Sequence, residues 1–278
     1  LNRNFISLED GRDSARTTAQ GATRGLTSYP VLDSEGCLVS VEVHAERAAI
    51  QRKNTVVIMA GGEGRRLRPL TESTPKPLLH VAGEPILKRI IKNLRDEGFH
   101  DIVLSINYLG EQIETYFGDG SDFRVSIRYL REDRALGTAG SLSLLKEPIS
   151  SPIVVMNGDL VVAASIGNMV DYHHEKKASM TVGAKVLETT IPFGVISTNG
   201  RVIQEIEEKP TYRSLVNAGV YVLEREILTS VSDARFTDMP ELILAHVGAG
   251  TVIAYPMHEP WLDVGRPADL ELANSKQN

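Results

Sequence analysis

TVVIMAGGEGRRLRPLTESTPKPLL, residues Thr55–Leu79, decides how the rest of this chain is read. From Thr55 to Ala60 the residues are apolar or β-branched without alternation, the pattern of a strand buried on both faces inside a parallel sheet. The run ends in a loop carrying Gly61, Gly62 and Gly64. Glycine lets backbone amides close on an anion, and Arg65, Arg66, Arg68 and Lys76 surround the loop with positive charge. A polyphosphate suits such a place. Two common phosphate loops are excluded by their letters: no Gly-Lys-Ser/Thr closes the stretch, and Leu67 stands where the dinucleotide fingerprint needs its third glycine.

Downstream, strand and helix patterns alternate, which predicts βαβ units and a parallel sheet with right-handed crossovers. Ile86, Leu87, Ile90, Ile91 and Leu94 recur at three and four residues, so an amphipathic helix is expected over Glu84–Glu97, closed by Gly98. Strands are expected at Ile102–Asn107, Val125–Leu130 and Ile153–Met156, and helices at Leu109–Phe117, Gly137–Lys146 and Ser165–Lys176. After Ala178 short strands predominate, at Met180–Val186, Gly194–Ser197, Val202–Glu207 and Ala218–Leu223, separated by turn signals such as Thr198-Asn-Gly. That part is expected to receive a second substrate. A helix at Met239–Val247 and a strand at Thr251–Tyr255 follow.

Residues 1–52 read differently. The first 24 offer no periodic apolar face and are expected to be loosely held. Ser28 to Val43 then reads as strand, Asp-Ser-Glu-Gly turn and strand, with Ala45–Arg52 as a closing helix or a linker. The expected division is therefore 1–52 and 53–278.

Composition narrows the function classes. The 278 residues are 24% charged and 42% apolar, as in ordinary soluble globular proteins. No run of about 18 apolar residues predicts a membrane span, and the N-terminus has no apolar core of a secretory signal. Cys37 is the single cysteine, which excludes an intrachain disulfide and a cysteine-held metal cluster and suits a cytoplasmic protein. A net charge of −6 argues against a nucleic-acid partner. His173-His174 are adjacent and point about 100° apart on a helix, so they cannot chelate one ion from the same face. No Gly-x-Ser-x-Gly elbow occurs.

Five separated motifs carry the chemistry: the Gly61–Leu79 loop, LGTAG at Leu136–Gly140, Asn157-Gly158-Asp159, Glu208-Lys209-Pro210 with NAGVY from Asn217, and WLDVGRP at Trp261–Pro267. Asp159 directly follows a buried strand, which puts its carboxylate at the carboxyl edge of the sheet, where open α/β folds bind ligands. Taken together, Val56 to about Leu270 resembles the sugar-phosphate nucleotidyltransferases, the NDP-sugar pyrophosphorylases. The Ser28–Val43 hairpin more faintly resembles half of a CBS module, the regulatory unit that some of these enzymes carry ahead of the catalytic domain.

The resemblance implies an α/β, Rossmann-like catalytic domain behind a small CBS-like remnant. It implies that Asp159 and Asp263 hold Mg²⁺, that Arg66 binds the leaving pyrophosphate, that Lys76 contacts the nucleotide phosphates, and that Lys209 binds the sugar phosphate. Ala60, Gly61, Gly62, Gly64, Arg65, Gly137, Thr138, Asn157 and Gly158 would surround the nucleotide. Gly194, Glu208 and Asn217 would form the sugar pocket. Arg65 stands where the family more often has threonine, and Arg134-Ala135 replaces the acidic residue and proline that commonly precede LGTAG.

The implied activity joins an NTP and a sugar 1-phosphate, of mannose or amino-sugar type, into an NDP-sugar and pyrophosphate. LGTAG followed by Ser-Leu resembles the guanylyltransferase form of the base loop, which favours GTP; thymidylyl and uridylyl specificities stay open. A nucleotide-sensing regulatory subunit without turnover is a rival from another class, and a cytidylyltransferase acting on an alcohol phosphate is a second enzymatic rival. A homo-oligomer is compatible with the sequence.

Overall fold

The computed structural model describes residues 8–9, 28–33, 35, 37–43, 51–145, 149–150, 152–231, 235–248 and 250–275. The chain divides into two compact units, Leu1–Gln51 and Arg52–Asn278. Arg52, expected with the first unit, has its contacts in the second. Its amide donates to the Gly98 carbonyl (2.9 Å), its guanidinium takes both oxygens of Asp171 (2.7 and 2.8 Å), and its charge lies 5.6 Å from the centre of the Phe99 ring.

In the first unit, Ser28–Leu32 pairs antiparallel with Leu38–Val43 and parallel with Leu8–Glu9. The Asp33 carboxylate accepts the amides of Glu35 and Cys37, which closes the expected Asp-Ser-Glu-Gly turn. Most of the loosely held segment expected at the N-terminus, and the helix or linker expected at Ala45–Arg52 up to residue 50, fall outside the described residues.

The second unit is built on a seven-stranded sheet in the order Val252–Met257, Met180–Thr190, Thr211–Leu223, Ile153–Asn157, Val56–Met59, Asp101–Ile106, Ser126–Arg131. Only Thr211–Leu223 runs antiparallel to its neighbours. Val56–Met59 shows why its sequence does not alternate. Val56 and Ile58 belong to one apolar cluster with the Ile86–Asp96 helix, while Val57 packs in another with Ala139, Leu142, Met239 and Leu242. Both faces are covered, so every side chain must be apolar. Ile86, Leu87, Ile90, Ile91 and Leu94 form the buried stripe of their helix, and each fully buried side chain of this size contributes about 1.5–3 kcal/mol of transfer free energy.

Three expectations need correction. The helix read over Gly137–Lys146 is one turn, Gly137–Gly140, followed by a 3₁₀ segment at Ser141–Leu144; Gly137 takes φ +77°, and the carbonyls of another stretch of chain press against Gly137 and Gly140. The strands read as Met180–Val186 and Ala218–Leu223 run to Thr190 and back to Thr211, forming a long hairpin stem that carries the exposed ribbon Gly194–Asn199/Val202–Glu208. Helices at Arg225–Thr229 and Pro267–Ser275 were not foreseen. Among the described residues no helix is long and apolar enough to cross a membrane.

The strand order reverses between Val56–Met59 and Ile153–Asn157, and there the sheet opens at its carboxyl edge. Gly158 sits in that opening. Its amide donates to the Met59 carbonyl (2.9 Å), and a Cβ on it would lie 2.8 Å from the same oxygen. Gly158→Ala is expected to destabilise the protein by about 1–3 kcal/mol through this backbone clash. A urea midpoint equal to wild type, at unchanged slope, would contradict it.

Candidate functional site

At the switch point the chain closes a cavity of about 250 Å³. Its floor is Met59, Ala60, Gly61 and Gly62, leaving the first strand; its walls are Lys76 and Pro77, Asn157 to Asp159, and Gly137 with Thr138. Nine of the residues singled out by sequence therefore meet in one place: Ala60, Gly61, Gly62, Lys76, Gly137, Thr138, Asn157, Gly158 and Asp159.

The loop geometry follows from its glycines. Gly64 has φ +59°, and a Cβ there would lie 2.9 Å from Thr71 Cγ2, so the turn into the 3₁₀ segment Arg65–Leu67 excludes a side chain. The Thr71 hydroxyl donates to the Gly64 carbonyl (2.9 Å), and Leu67 is fully buried beneath. This anchors the exposed arginines over a fixed base. Arg65 is not free for a phosphate in this arrangement, since its guanidinium grips Glu63 (2.6 and 3.0 Å) outside the cavity.

The charged centre is Lys76 with two carboxylates. Its ammonium hydrogen-bonds Asp159 Oδ2 and lies 3.9 Å from Asp263 Oδ1. Asp263 arrives through a short antiparallel ribbon in which Leu160 pairs with Asp263 and Val162 with Trp261, tied by the Val264 amide donating to the Asp159 carbonyl (3.1 Å). The Trp261 indole N–H donates to the Ala218 carbonyl (2.9 Å) and fixes the ribbon to the main sheet. Burial pushes the Asp263 carboxyl above its ordinary range, and the like charge of Asp159 adds to this; Lys76 and Arg66 pull the other way. Asp159 Oδ1 is buried and has no hydrogen-bond partner. Such an orphaned oxygen is costly unless something satisfies it. Two hard carboxylates beside a lysine form a donor set suited to Mg²⁺ with phosphate oxygens and water completing its shell. Among the described residues no cluster of three or more His, Cys, Asp or Glu could hold a metal ion by itself.

The expected sugar-pocket residues lie elsewhere. Gly194 pairs directly with Glu208 on the exposed ribbon, and Lys209 follows with φ +48°; none of the three lines the cavity. Asn217 uses its side chain within its own strand, donating to the Tyr221 hydroxyl (2.8 Å) and accepting the Gly219 amide (3.0 Å). That bulge lies beside Asn157, since a Cβ on Gly219 would fall 2.7 Å from Asn157 Nδ2. His173 is buried against the Thr181 hydroxyl (2.8 Å) while His174 is exposed, so the pair diverges as its helical spacing requires.

Sequence reading missed three lining residues. Glu132 clamps the cavity rim, accepting the Ser105 hydroxyl (2.7 Å) and the Leu136 amide (3.0 Å). Phe236 and Asp238 come from a segment that docks on the LGTAG turn, where the Thr237 carbonyl accepts the amides of Ala139 and Gly140 (both 2.9 Å). A Cβ on Gly137 or Gly140 would lie 2.5 Å or 2.3 Å from the carbonyls of Thr237 and Arg235. Gly137, expected beside the nucleotide, also admits a neighbouring chain segment, and so does Gly140. The only sequence signal was an isolated Phe before an Asp-Met-Pro helix start.

Comparison with known proteins agrees with this geometry. The family model described as Nucleotidyl transferase matches residues 55–278. A mannose-1-phosphate guanylyltransferase of Mycobacterium tuberculosis is 30% identical over 223 residues, covering 77% of this chain and 62% of that protein. A UTP–glucose-1-phosphate uridylyltransferase of Synechocystis is 31% identical over 235 residues, covering 77% and 60%. This chain thus spans about three fifths of the length of these relatives. A crystal structure from Bacillus anthracis, assigned as a glucose-1-phosphate thymidylyltransferase and solved with sucrose, superimposes with a TM-score of 0.65 at 26% identity, covering 80% of this chain and 94% of that one. The family model does not extend to the first unit. From Thr55 onward, the chain belongs to the nucleotidyl transferase family.

Proposed function

We propose that this protein makes an NDP-sugar and pyrophosphate from an NTP and a sugar 1-phosphate, with GTP and a mannose- or amino-sugar-type phosphate as its substrates. The observation that carries this reading is the joining of Lys76, Asp159 and Asp263 at one end of a cavity floored by a glycine loop. A phosphoryl centre needs cations and carboxylates together, and a purely structural ion pair would not leave Asp159 Oδ1 unsatisfied.

In this reading an oxygen of the sugar phosphate attacks the α-phosphorus in line. The bond to the bridging oxygen breaks, and pyrophosphate leaves with the electron pair. No protein nucleophile is required, so catalysis is positioning and charge neutralisation. Lys76 neutralises charge on the nucleotide phosphates. Arg66, exposed near Asp263, would receive the pyrophosphate. Asp159 and Asp263 would hold Mg²⁺, which supplies further positive charge at the phosphates. Lys209 and Glu208 would serve the sugar phosphate from the ribbon, with Gly194 allowing close approach. Each preorganised contact of this kind typically lowers the barrier by ~2.7–4 kcal/mol. The GTP preference draws on the LGTAG loop and on the Mycobacterium relative.

Pyrophosphate release from GTP, dTTP, UTP, CTP and ATP, each with mannose, glucose and amino-sugar 1-phosphates, tests the activity. GTP is expected to have the highest specificity constant. UTP or dTTP above GTP would reassign the nucleotide, and triphosphate binding without release in any pair would make the protein a sensor.

The carboxylate pair gives a test free of turnover. A carboxyl with a raised folded pKa destabilises the fold when ionised, an effect present above that pKa and absent below the unfolded value near 3.8. Asp263→Asn is therefore expected to melt above wild type at pH 7, with the gap closing as the pH falls toward 4. Added Mg²⁺ with GTP should raise the melting temperature of wild type more than that of the variant. Equal Mg²⁺-dependent shifts in both proteins would remove Asp263 from the metal site.

A further inference from the structure

The segment Phe236–Asp238 and the loop Gly137–Thr138 hold each other by an exchange of caps. Asp238 precedes the Met239–His246 helix, where an aspartate ordinarily caps its own helix. It does not do so here. The Met239 amide is capped instead by the Thr138 hydroxyl (2.8 Å), while Asp238 Oδ1 turns across to accept the Thr138 amide (3.2 Å). A helix cap has been given up in favour of a carboxylate fixed in the cavity wall. Asp238 Oδ2 has no hydrogen-bond partner among the described residues. Two residues earlier, Phe236 lines the same cavity with 56% of its surface exposed.

The cavity is chemically two-ended. Lys76 and Asp159 mark the phosphate end. A second group, Ala135, Gly137, Phe236 and Asp238, with Glu132 reaching from it to Gly61, contributes no cationic side chain, and its two carboxylates are acceptors only. Glu132 already accepts one donor on each oxygen, from Ser105 and Leu136, whereas Asp238 Oδ2 accepts none among the described residues, so Asp238 is the more open acceptor for a ligand.

Building on the nucleotidyltransferase reading of this site, we propose that Asp238 reads the nucleobase and that Phe236 stacks on it. A carboxylate anchored through Oδ1, which takes both the amide (3.2 Å) and the hydroxyl (3.5 Å) of Thr138, keeps the two lone pairs of Oδ2 for two adjacent N–H donors. Guanine offers such a pair at N1 and N2. Adenine and cytosine set an amino group beside a ring-nitrogen acceptor, and uracil and thymine flank their one N–H with carbonyls. With those bases a carboxylate oxygen meets a lone pair. The wall thus selects guanine by repelling the others as well as by binding it.

Equilibrium binding of GTP, ATP, UTP and CTP, measured without sugar phosphate, tests this on the intact chain. Asp238→Asn preserves an acceptor for the Thr138 amide but places an NH₂ donor at the other position. GTP affinity is expected to fall roughly 10- to 100-fold, the effect of a hydrogen bond to a charged group, with UTP within twofold of wild type. Phe236→Ala, at an exposed position and so harmless to folding, is expected to weaken all four roughly 5- to 100-fold, because every base has a face to stack. An equal loss for all four nucleotides in Asp238→Asn would reduce Asp238 to a brace for Thr138, and unchanged binding in Phe236→Ala would remove the stacking wall; either overturns the inference. If wild type binds and turns over nucleotides but prefers UTP, this inference falls while the family activity stands. If wild type binds no triphosphate, the activity itself falls.

Discussion

Holding two carboxylates within reach of one lysine is the constraint on which this architecture turns. Asp159 and Asp263 repel, and the raised pKa of Asp263 records burial together with that repulsion. The chain holds them by backbone rather than by charge. Asp159 is set by a glycine turn that no side chain can enter, and Asp263 by a three-residue ribbon whose register pairs it with Leu160. The Trp261 indole then locks the ribbon to the antiparallel strand of the main sheet. Some of the folding free energy supplied by the surrounding core is thus spent on an arrangement unfavourable in itself, as is expected where charge must be ready for a ligand.

The central sheet was legible because its strands obey a rule visible in one dimension. A strand covered on both faces must be apolar throughout, and Val56–Met59 and Ile153–Asn157 both are, apart from the terminal Asn157. The phosphate end of the site was legible for a related reason: a loop of glycines and cations after a buried strand has few structural uses. Reading failed where tertiary contact overrode local pattern. Gly137-Thr-Ala-Gly-Ser-Leu looks like a helix start, yet its glycines are pressed by the carbonyls of Arg235 and Thr237, about 100 residues away in sequence. No window of local sequence contains that partner. Glu132 and Asp238 escaped notice likewise, since an acid near a turn is usually a cap, and the departure of Asp238 from capping its own helix appears only in three dimensions.

The ribbon carrying Gly194, Glu208 and Lys209 shows a different limit. Motif reading placed these residues together, and the structure does too, through the Gly194–Glu208 cross-strand pair. It does not place them in the wall of the nucleotide cavity. The ribbon also exposes Phe193, Ile196, Ile203 and Ile206, in a segment whose strands are apolar at intervals but cover no core. Residues joined by one motif can therefore form a local unit whose relation to the rest of the site is set by the stem that carries it. Here the stem runs Met180–Thr190 outward and Thr211–Leu223 back, well beyond the strands that local propensity suggested.

Under the proposed reading, base and phosphate recognition fall to differently built parts of the cavity. The phosphate end is made by strand ends and glycine turns of the sheet itself, whose backbone positions are fixed by the main core. The proposed base wall is made by two segments that meet through the Thr138–Asp238 exchange, the bonds between Thr237 and the Leu136–Gly140 turn, and the packing of Ala139 and Leu142 on Met239 and Leu242. If the Arg235–Asp238 segment reads the base as proposed, change there alters the base chosen without moving Lys76, Asp159 or Asp263, and one phosphoryl chemistry is kept while the base wall varies. That division agrees with relatives of similar identity being named for guanylyl and for uridylyl transfer.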